Sequence, residues 1–523
     1  MGQAHQALDL GRLPFRILVL GQFSDTPEPE MFDVERTALD GLMPQQSGRL
    51  RFQIDHPLVP PNRQLVVDTM PERLGDLSPR AVARTLAPIQ ALEQLRAAAA
   101  EVKAGRSDRT ALDQARAALP DHPAITRALA QLDDGPAAAA APIADDDPLD
   151  RLLALVDTPD SCSQADPVDS GLAQIDALLE AADAAVARHP AYRARARAWY
   201  GLKFLIDRID FHRPIRLSVL SAPRQDWPTL VQDRVAATGE DWASALPALI
   251  IADASLSNTQ ADLDFARALA AAAADVQAPL VIALDPGFLG LDDQALRGRH
   301  MLGDVFDDPR FAAFRALRDK PEARWLTLAF NDLPLAPEPQ SVALPPVWAV
   351  AALIARAVAE TGWPTDFTGP DRGVLSDPAQ APKLSLAPPL CEDLIAAGIA
   401  PVTGRSDRLL LSYAPLLAKP GHFGMTQATL EARAMAQLGY QLLAARVARW
   451  AADALSLWAE GGSGRSAEPF LHDLMTNLVS ETGPGARVTV RRNPEDERLT
   501  DLVVRTGTRV LGGATVQLSF PTP

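Results

Sequence analysis

ALPALIIADASLSNTQADLDFARALAAAAADVQAPLVIALDPGFLG, residues 245–290, spells strand, helix and strand in one run. ALIIAD and PLVIALD are short unbroken apolar stretches, the pattern of strands covered on both faces. The Ala-rich segment between them is a helix candidate, and the spacing from Ala248 to Leu284 suits a right-handed crossover in a buried parallel sheet. Upstream RLSVL and downstream RWLTLAF add two more strands of the same kind. The second half of the chain therefore reads as α/β. After Ser341 come an Ala-rich helix to Thr361, a long helix from about Thr426 to Glu460 and a shorter one near Glu468 to Ser480. The chain closes with the short strands RVTVRR, DLVVRT and ATVQLSF.

The last of these has a clear period of two. Ala514, Val516, Leu518 and Phe520 alternate with Thr515, Gln517 and Ser519 after Gly512-Gly513. Such a strand either completes its own sheet or pairs with a neighbour's edge.

The first half is smaller. PFRILVLGQFS (14–24) reads as a buried strand ending in a turn, and RLRFQIDHP and RQLVVDTMP as two further strands. In DLSPRAVARTLAPIQALEQLRAA (76–98), Ser78 suits an N-cap and Pro79 the first helical position. Val82, Leu86, Ile89, Leu92 and Leu95 form one apolar stripe, with a kink or break expected at Pro88. Residues 133–148, DDGPAAAAAPIADDDP, lack apolar periodicity and read as a linker between halves 1–132 and 149–523. About 13 flexible residues span roughly 20 Å typically and roughly 45 Å at full reach. Such a tether raises the local concentration of one half around the other to about millimolar.

The run at 76–98, with the strands before it, is similar to the small subunit of the contractile sheath of type VI secretion systems over most of residues 12–132. RHPAYRARARAWYGLKFLIDRIDF (188–211) resembles a pattern of the large sheath subunit, with His189, Pro190, Tyr192, Trp199, Gly201, Leu202 and Leu205 at matching spacing. Arg195-Ala196 stands where that family has Leu-Glu, and Tyr200 where it has Arg. Further matches follow in family order: the 245–290 run, FAAFRALRDKPEARWLTLAF, ETGWPTDFTGPDRGVL with Gly362-Trp363, and Lys419-Pro420. A weaker match has Leu438-Gly439-Tyr440 for Leu-Pro-Tyr and Arg449-Trp450 for His-Tyr. The chain thus resembles a natural fusion of the small and large sheath subunits.

That resemblance implies a phage tail sheath-like α/β fold and a structural role. In this family the sheath polymerises from a baseplate around an inner tube and contracts to drive the tube through a target membrane. Subunits lock to their neighbours by exchanging terminal strands, which makes Val516, Leu518 and Phe520 the candidate inter-subunit residues. No catalytic residue, cofactor or metal is implied. The stretch in which the large subunit carries a docking helix for a recycling ATPase is occupied here by the linker, so recycling of that kind is not expected. Two other readings stand beside this one: a non-contractile adaptor or cap with the same fold, and an α/β enzyme using Asp253 and Asp285. Both aspartates follow apolar strands, where open α/β sheets place ligands. Helix caps and turn chemistry, as in Asp285-Pro286-Gly287, explain them as well.

Composition narrows the field. The chain has 523 residues and a net charge of −16, with no clustered Lys and Arg of the kind that binds phosphate backbones. No apolar run reaches the ~18 residues of a membrane span, and MGQAHQALDLGR lacks a signal-peptide core. Gln6 stands where a myristoylation motif has Ser or Thr. Only Cys162 and Cys391 occur, so a cytoplasmic, reduced setting is expected. GGSGRS at Gly461 lacks the Gly-Lys-Ser/Thr ending of a P-loop. His56, His122, His189, His212, His300, His422 and His472 show no metal-ligand spacing.

Overall fold

FRILVLG, strand β1 (Phe15–Gly21), is apolar on both faces, so it needs cover above and below and a partner on each edge. A computed structural model shows where it finds them. The model describes residues 13–119 and 167–521, apart from 27, 36–38, 57–63, 105, 107–109, 111–113, 116, 118, 237–245, 335–341, 377–381, 406–407, 422–423, 425 and 461–465. The linker at 133–148, Cys162, His122, His422 and most of GGSGRS lie outside the described residues.

In chain order the strands are β1, β2 (Glu30–Val34), β3 (Leu50–Ile54), β4 (Leu65–Thr69), β5 (Ile215–Ser221), β6 (Leu249–Leu256), β7 (Leu280–Leu284), β8 (Leu326–Phe330), β9 (Leu333–Pro334), β10 (Ala343–Leu344), β11 (Val374–Leu375), β12 (Ile399–Arg405), β13 (Arg408–Leu411), β14 (Arg487–Arg492), β15 (Leu499–Arg505) and β16 (Thr515–Pro521). The helices used below are α1 (Pro79–Ala83), α2 (Ala87–Lys103), α3 (Pro167–Arg188), α4 (Pro190–Ile206), α5 (Gln260–Asp275), α6 (Val347–Thr361), α7 (Leu438–Glu460) and α8 (Ala467–Ser480).

The main sheet has nine strands in the order β11-β13-β12-β8-β7-β6-β1-β5-β2. From β12 to β5 every neighbouring pair is parallel, and antiparallel strands close both edges. Residues 245–290 hold β6, α5 and β7, and the two strands pair in parallel. β1 sits between β5 and β6, in register with β5 from Phe15↔Ile215 to Gly21↔Ser221 and with β6 from Ile17↔Leu249 to Leu20↔Ala252. Phe15, Ile17, Val19 and Leu20 are wholly buried, each contributing roughly 1.5–3 kcal/mol by leaving water. The first half of the sequence thus supplies an interior strand to a sheet built mostly from the second.

α6 lies against this sheet, contacting β5, β6 and β7. Its sequence is apolar all round, which is the signature of an interior helix, and from Val347 to Val358 only Arg356 is not buried. The expected long helix from Thr426 to Glu460 is two helices, Gln427–Met435 and α7. The break has a visible cause: backbone groups at Ala436 and Leu438 pair with Leu416 and Ala414 instead of continuing the helix.

Two compact units divide the chain, one of Met1–Gln46 with Ala194–Pro523 and one of Ser47–Arg193. This partition cuts differently from the two sequence halves, because β1 and β2 belong to the main sheet. The second unit holds the β3–β4 hairpin, α1, α2 and α3. Ser78 Oγ accepts from Ala81 N–H at 3.2 Å and Pro79 opens α1. Pro88 begins a separate helix, α2, because it has no N–H to donate to a preceding turn. α2 packs on α3, with Arg96 paired to Asp176.

A polypeptide of residues 149–523 alone leaves the facing edges of β5 and β6 unpaired and their flanking core uncovered. It is expected to be insoluble or to lack a cooperative melt, and co-production of residues 1–148 should restore both. Solubility and circular-dichroism melts decide; a cooperatively melting 149–523 fragment contradicts the role given to β1.

Candidate assembly site

The chain ends in a three-stranded antiparallel sheet, β14-β15-β16, separate from the main one. Alternation sorts its side chains. Val488, Leu502, Val504 and Val516 face a core formed with α7 and α8, and Val490, Leu518 and Phe520 pack on the same core while partly exposed. Trp363 and Trp450 meet edge to face beneath it, 5.1 Å between centroids. Thr489, Val503 and Gln517 occupy the opposite face, where the register places them side by side.

β16 is one edge of this sheet. It pairs with β15 over its whole length, from Leu499↔Pro521 to Arg505↔Thr515. The turn into it carries Leu511, Gly512 and Gly513 at positive φ (47°, 66° and 94°), a conformation that suits glycine and strains Leu511. Thr506 Oγ donates to Val510 O (3.0 Å), and Thr506 N–H to Ala514 O (2.9 Å), which holds that turn. Tyr440 Oη donates to Thr515 O at 2.9 Å and ties the strand to α7. Ser519 and Asn493 both donate to Asp501, holding its carboxyl below the usual range. Beside the outer stretch of β16 runs a cavity of about 370 Å³, lined by Leu518, Phe520, Leu455, Arg449, Leu246 and Gln277.

Most of the other positions singled out in the sequence build the fold. His189 stands just before α4, its Nδ1 accepting from Ala191 N–H at 3.3 Å and its ring stacked on Phe52 at 4.3 Å. Pro190 is the first helical residue, where no N–H is missed. Trp199 Nε1 donates to Phe23 O at 3.1 Å, and the two rings meet edge to face at 5.3 Å. Gly201 lies under the Trp348 indole so closely that any Cβ would collide with it. Gly362 ends α6 at φ 78°.

Two buried arginines escaped the sequence reading in part. Arg449, flagged only as a departure from the family's His, donates to the carbonyls of Leu246, Pro247 and Val276. Burial, and then the nearby Arg446, push it down to about 9. Arg446 lies against the Phe15 and Trp450 rings, 5.7 and 4.6 Å from their centroids. An arginine in a helix reads as surface by default, so no local signal marks either one.

Asp253 and Asp285 occupy different environments. β6 continues past Asp253 to Leu256 through an irregularity at Ala252/Ser255, so Asp253 is inside the strand rather than at its end. It is enclosed, with Trp348 Nε1 donating to it at 3.2 Å and the Arg197 guanidinium forming an ion pair at 3.9 Å, and burial raises its pKa. Asp285 is exposed and caps a turn by accepting from Gly287 N–H at 2.8 Å. Both have structural employment. Among the described residues no group of three or more His, Cys, Asp or Glu could hold a metal ion, and no helix is long and apolar enough to cross a membrane.

Comparison with known families gives two matches in one chain. Residues 3–132 match the family described as type VI secretion system, VipA, VC_A0107 or Hcp2. Residues 169–337 match VipB, described as EvpB/VC_A0108, tail sheath N-terminal domain. No curated protein matches the chain.

Two outcomes test the structural roles. Gly201→Ala should destabilise the protein by about 1–3 kcal/mol through overpacking, read from urea midpoints, and the loss should shrink when Trp348 is also cut to Ala. Burial lowers the His189 pKa from 6.5, so the unfolded chain binds that proton more tightly. Its contribution to stability is whole above the unfolded value and is lost as pH falls through it toward the lowered folded one. His189→Asn keeps a capping acceptor without a titrating ring. The variant should therefore lose less thermal midpoint than the unmodified protein between about pH 7.5 and about pH 5.5.

Proposed function

A chain that carries both a small-subunit and a large-subunit family of the type VI secretion sheath is a fusion of those two structural subunits, and from that premise we propose that it polymerises around an inner tube and contracts to deliver effectors. The observation that carries the reading is the joint occurrence of the two families in one polypeptide, at residues 3–132 and 169–337. The insertion of β1 between β5 and β6 supports it, since a one-to-one ratio of the two parts is then built into every subunit. We assign residues 1–132 and 149–523 as the two sheath parts and 133–148 as their tether, assembled in the cytoplasm on a baseplate.

The lattice contact we favour runs through the C-terminal strand. Among the described residues β16 pairs with β15 alone, and an edge left open can take up a further strand with main-chain hydrogen bonds and little sequence demand. Leu518 and Phe520, partly exposed beside the 370 Å³ cavity, would be covered by such a strand. The work of contraction comes from surface buried between many subunits, so the sheath itself needs no nucleotide site.

Negative-stain electron microscopy of the full-length protein beside a copy ending at Gly513 tests this. Hollow tubes from the first and none from the second are expected, with circular-dichroism melts to show that the shortened chain still folds. Discrete particles from the full-length chain would favour the adaptor role over the contractile one.

A further inference from the structure

Cross-strand neighbours on the C-terminal sheet show an imbalance of charge. Register pairs Arg487 of β14 directly with Arg505 of β15, on the face turned away from the core. Side chains so opposed stand about 5 Å apart, and like charges there repel. The other arginines of β14 are compensated: Arg491 lies opposite Asp501, and Arg492 is 3.6 Å from Glu468. Among the described residues Arg487 and Arg505 have no carboxylate within ion-pair distance, and both are exposed. Arg509, also exposed, belongs to the same end of the sheet. Gly507 N–H donates to Thr482 Oγ at 2.5 Å and Thr508 N–H to Pro484 O at 3.2 Å, which fasten the loop after β15 to the loop before β14.

At the opposite end of the same two strands the connection carries three carboxylates against Arg498, and the arginines that lead into it, Arg491 and Arg492, are the ones that Asp501 and Glu468 face. The connection reads Pro494-Glu495-Asp496-Glu497-Arg498, and all of it is exposed. Asn493 Oδ1 accepts from the N–H groups of Glu495 (2.8 Å) and Asp496 (3.0 Å), which brace the turn. Six residues of strand separate the two ends by roughly 20 Å. A stiff strand pair cannot fold back to bring its own ends together.

We infer that the arginine end of this sheet docks on the acidic turn of a second copy of the chain, head to tail. The chemistry selects that partner. The charges of the two ends are complementary, and the net charge of −16 makes any further copy an acidic surface while disfavouring a nucleic acid. Contact between different patches on identical chains is heterologous, and it propagates into rings or open filaments instead of closing on a pair. This inference rests on the sheath reading and adds to it a side-chain contact distinct from strand pairing at β16.

The test is a charge exchange on the full-length protein. One variant carries Arg487→Glu and Arg505→Glu, the other Glu495→Lys and Asp496→Lys, and assembly is followed by light scattering at low salt. Each variant alone should need about tenfold more protein to assemble. A one-to-one mixture, and a chain carrying all four substitutions, should recover most of the loss. Raising the salt should weaken the unmodified contact, because exposed charges are screened over about 10 Å at 0.1 M ionic strength. Variants that assemble like the unmodified chain, or a mixture no better than its parts, overturn the contact. An unmodified chain that never assembles overturns the sheath reading with it. Melting curves establish that the variants fold, and Arg487→Gln with Arg505→Gln, which should show an intermediate loss, replaces any that does not.

Discussion

The ladder of hydrogen bonds on both sides of β1 is the constraint on which the main sheet depends. A parallel strand in the middle of a sheet satisfies its own backbone groups and those of two neighbours. Taking β1 away therefore exposes β5 and β6 as well as the apolar residues of β1 itself. That strand comes from one end of the sequence and its neighbours from 200 or more residues later. Further ties reinforce the same seam: Arg16 donates to Ser218 Oγ (2.7 Å), Trp199 to Phe23 O (3.1 Å), and Arg195 pairs with Asp25 (2.8 Å). Where two such parts exist as separate chains they must fold together; joining them removes the search.

The strands of the main sheet were legible because buried parallel strands are written as unbroken apolar runs. β5, β6, β7 and β8 each coincide with a largely apolar run of the sequence. α6 was legible for the related reason that a helix without a polar face has nowhere to go but inside. What the sequence did not show was who pairs with whom. FRILVLG looks the same whether it sits in its own small sheet or between β5 and β6, since apolar composition encodes burial and not register. The break at Ala436 was hidden likewise, because the backbone partners that interrupt the helix, Ala414 and Leu416, are 20 or more residues away.

The family positions fared differently from a catalytic motif. Residues that do chemistry usually face a cavity, whereas Trp199, Gly201 and Gly362 are explained by contacts that shape the backbone: a carbonyl from the N-terminal strand region, an indole with no room for a Cβ, and a helix end in the left-handed conformation. Their spacing could be read, but their purpose needed Phe23 and Trp348, which no local pattern connects to them. The C-terminal strand was the reverse case. Its alternation was plain, and the inward set Val516, Leu518 and Phe520 is the set that meets α7 and α8; that it is an edge strand follows only from the order β14-β15-β16.

In the proposed sheath these two kinds of contact suit different tasks. A main-chain strand linkage is directional, satisfied along its whole length and nearly indifferent to side chains, so it can persist while the subunits around it rotate. An exposed arginine contact is the opposite: weak singly, screened by salt and easily exchanged. The C-terminal sheet holds both within some 20 Å, an edge strand in β16 and charged ends on β14 and β15. A polymer linked through the first and oriented through the second could change its side-chain contacts without losing its connectivity, which is the physical requirement for a lattice that rearranges without coming apart.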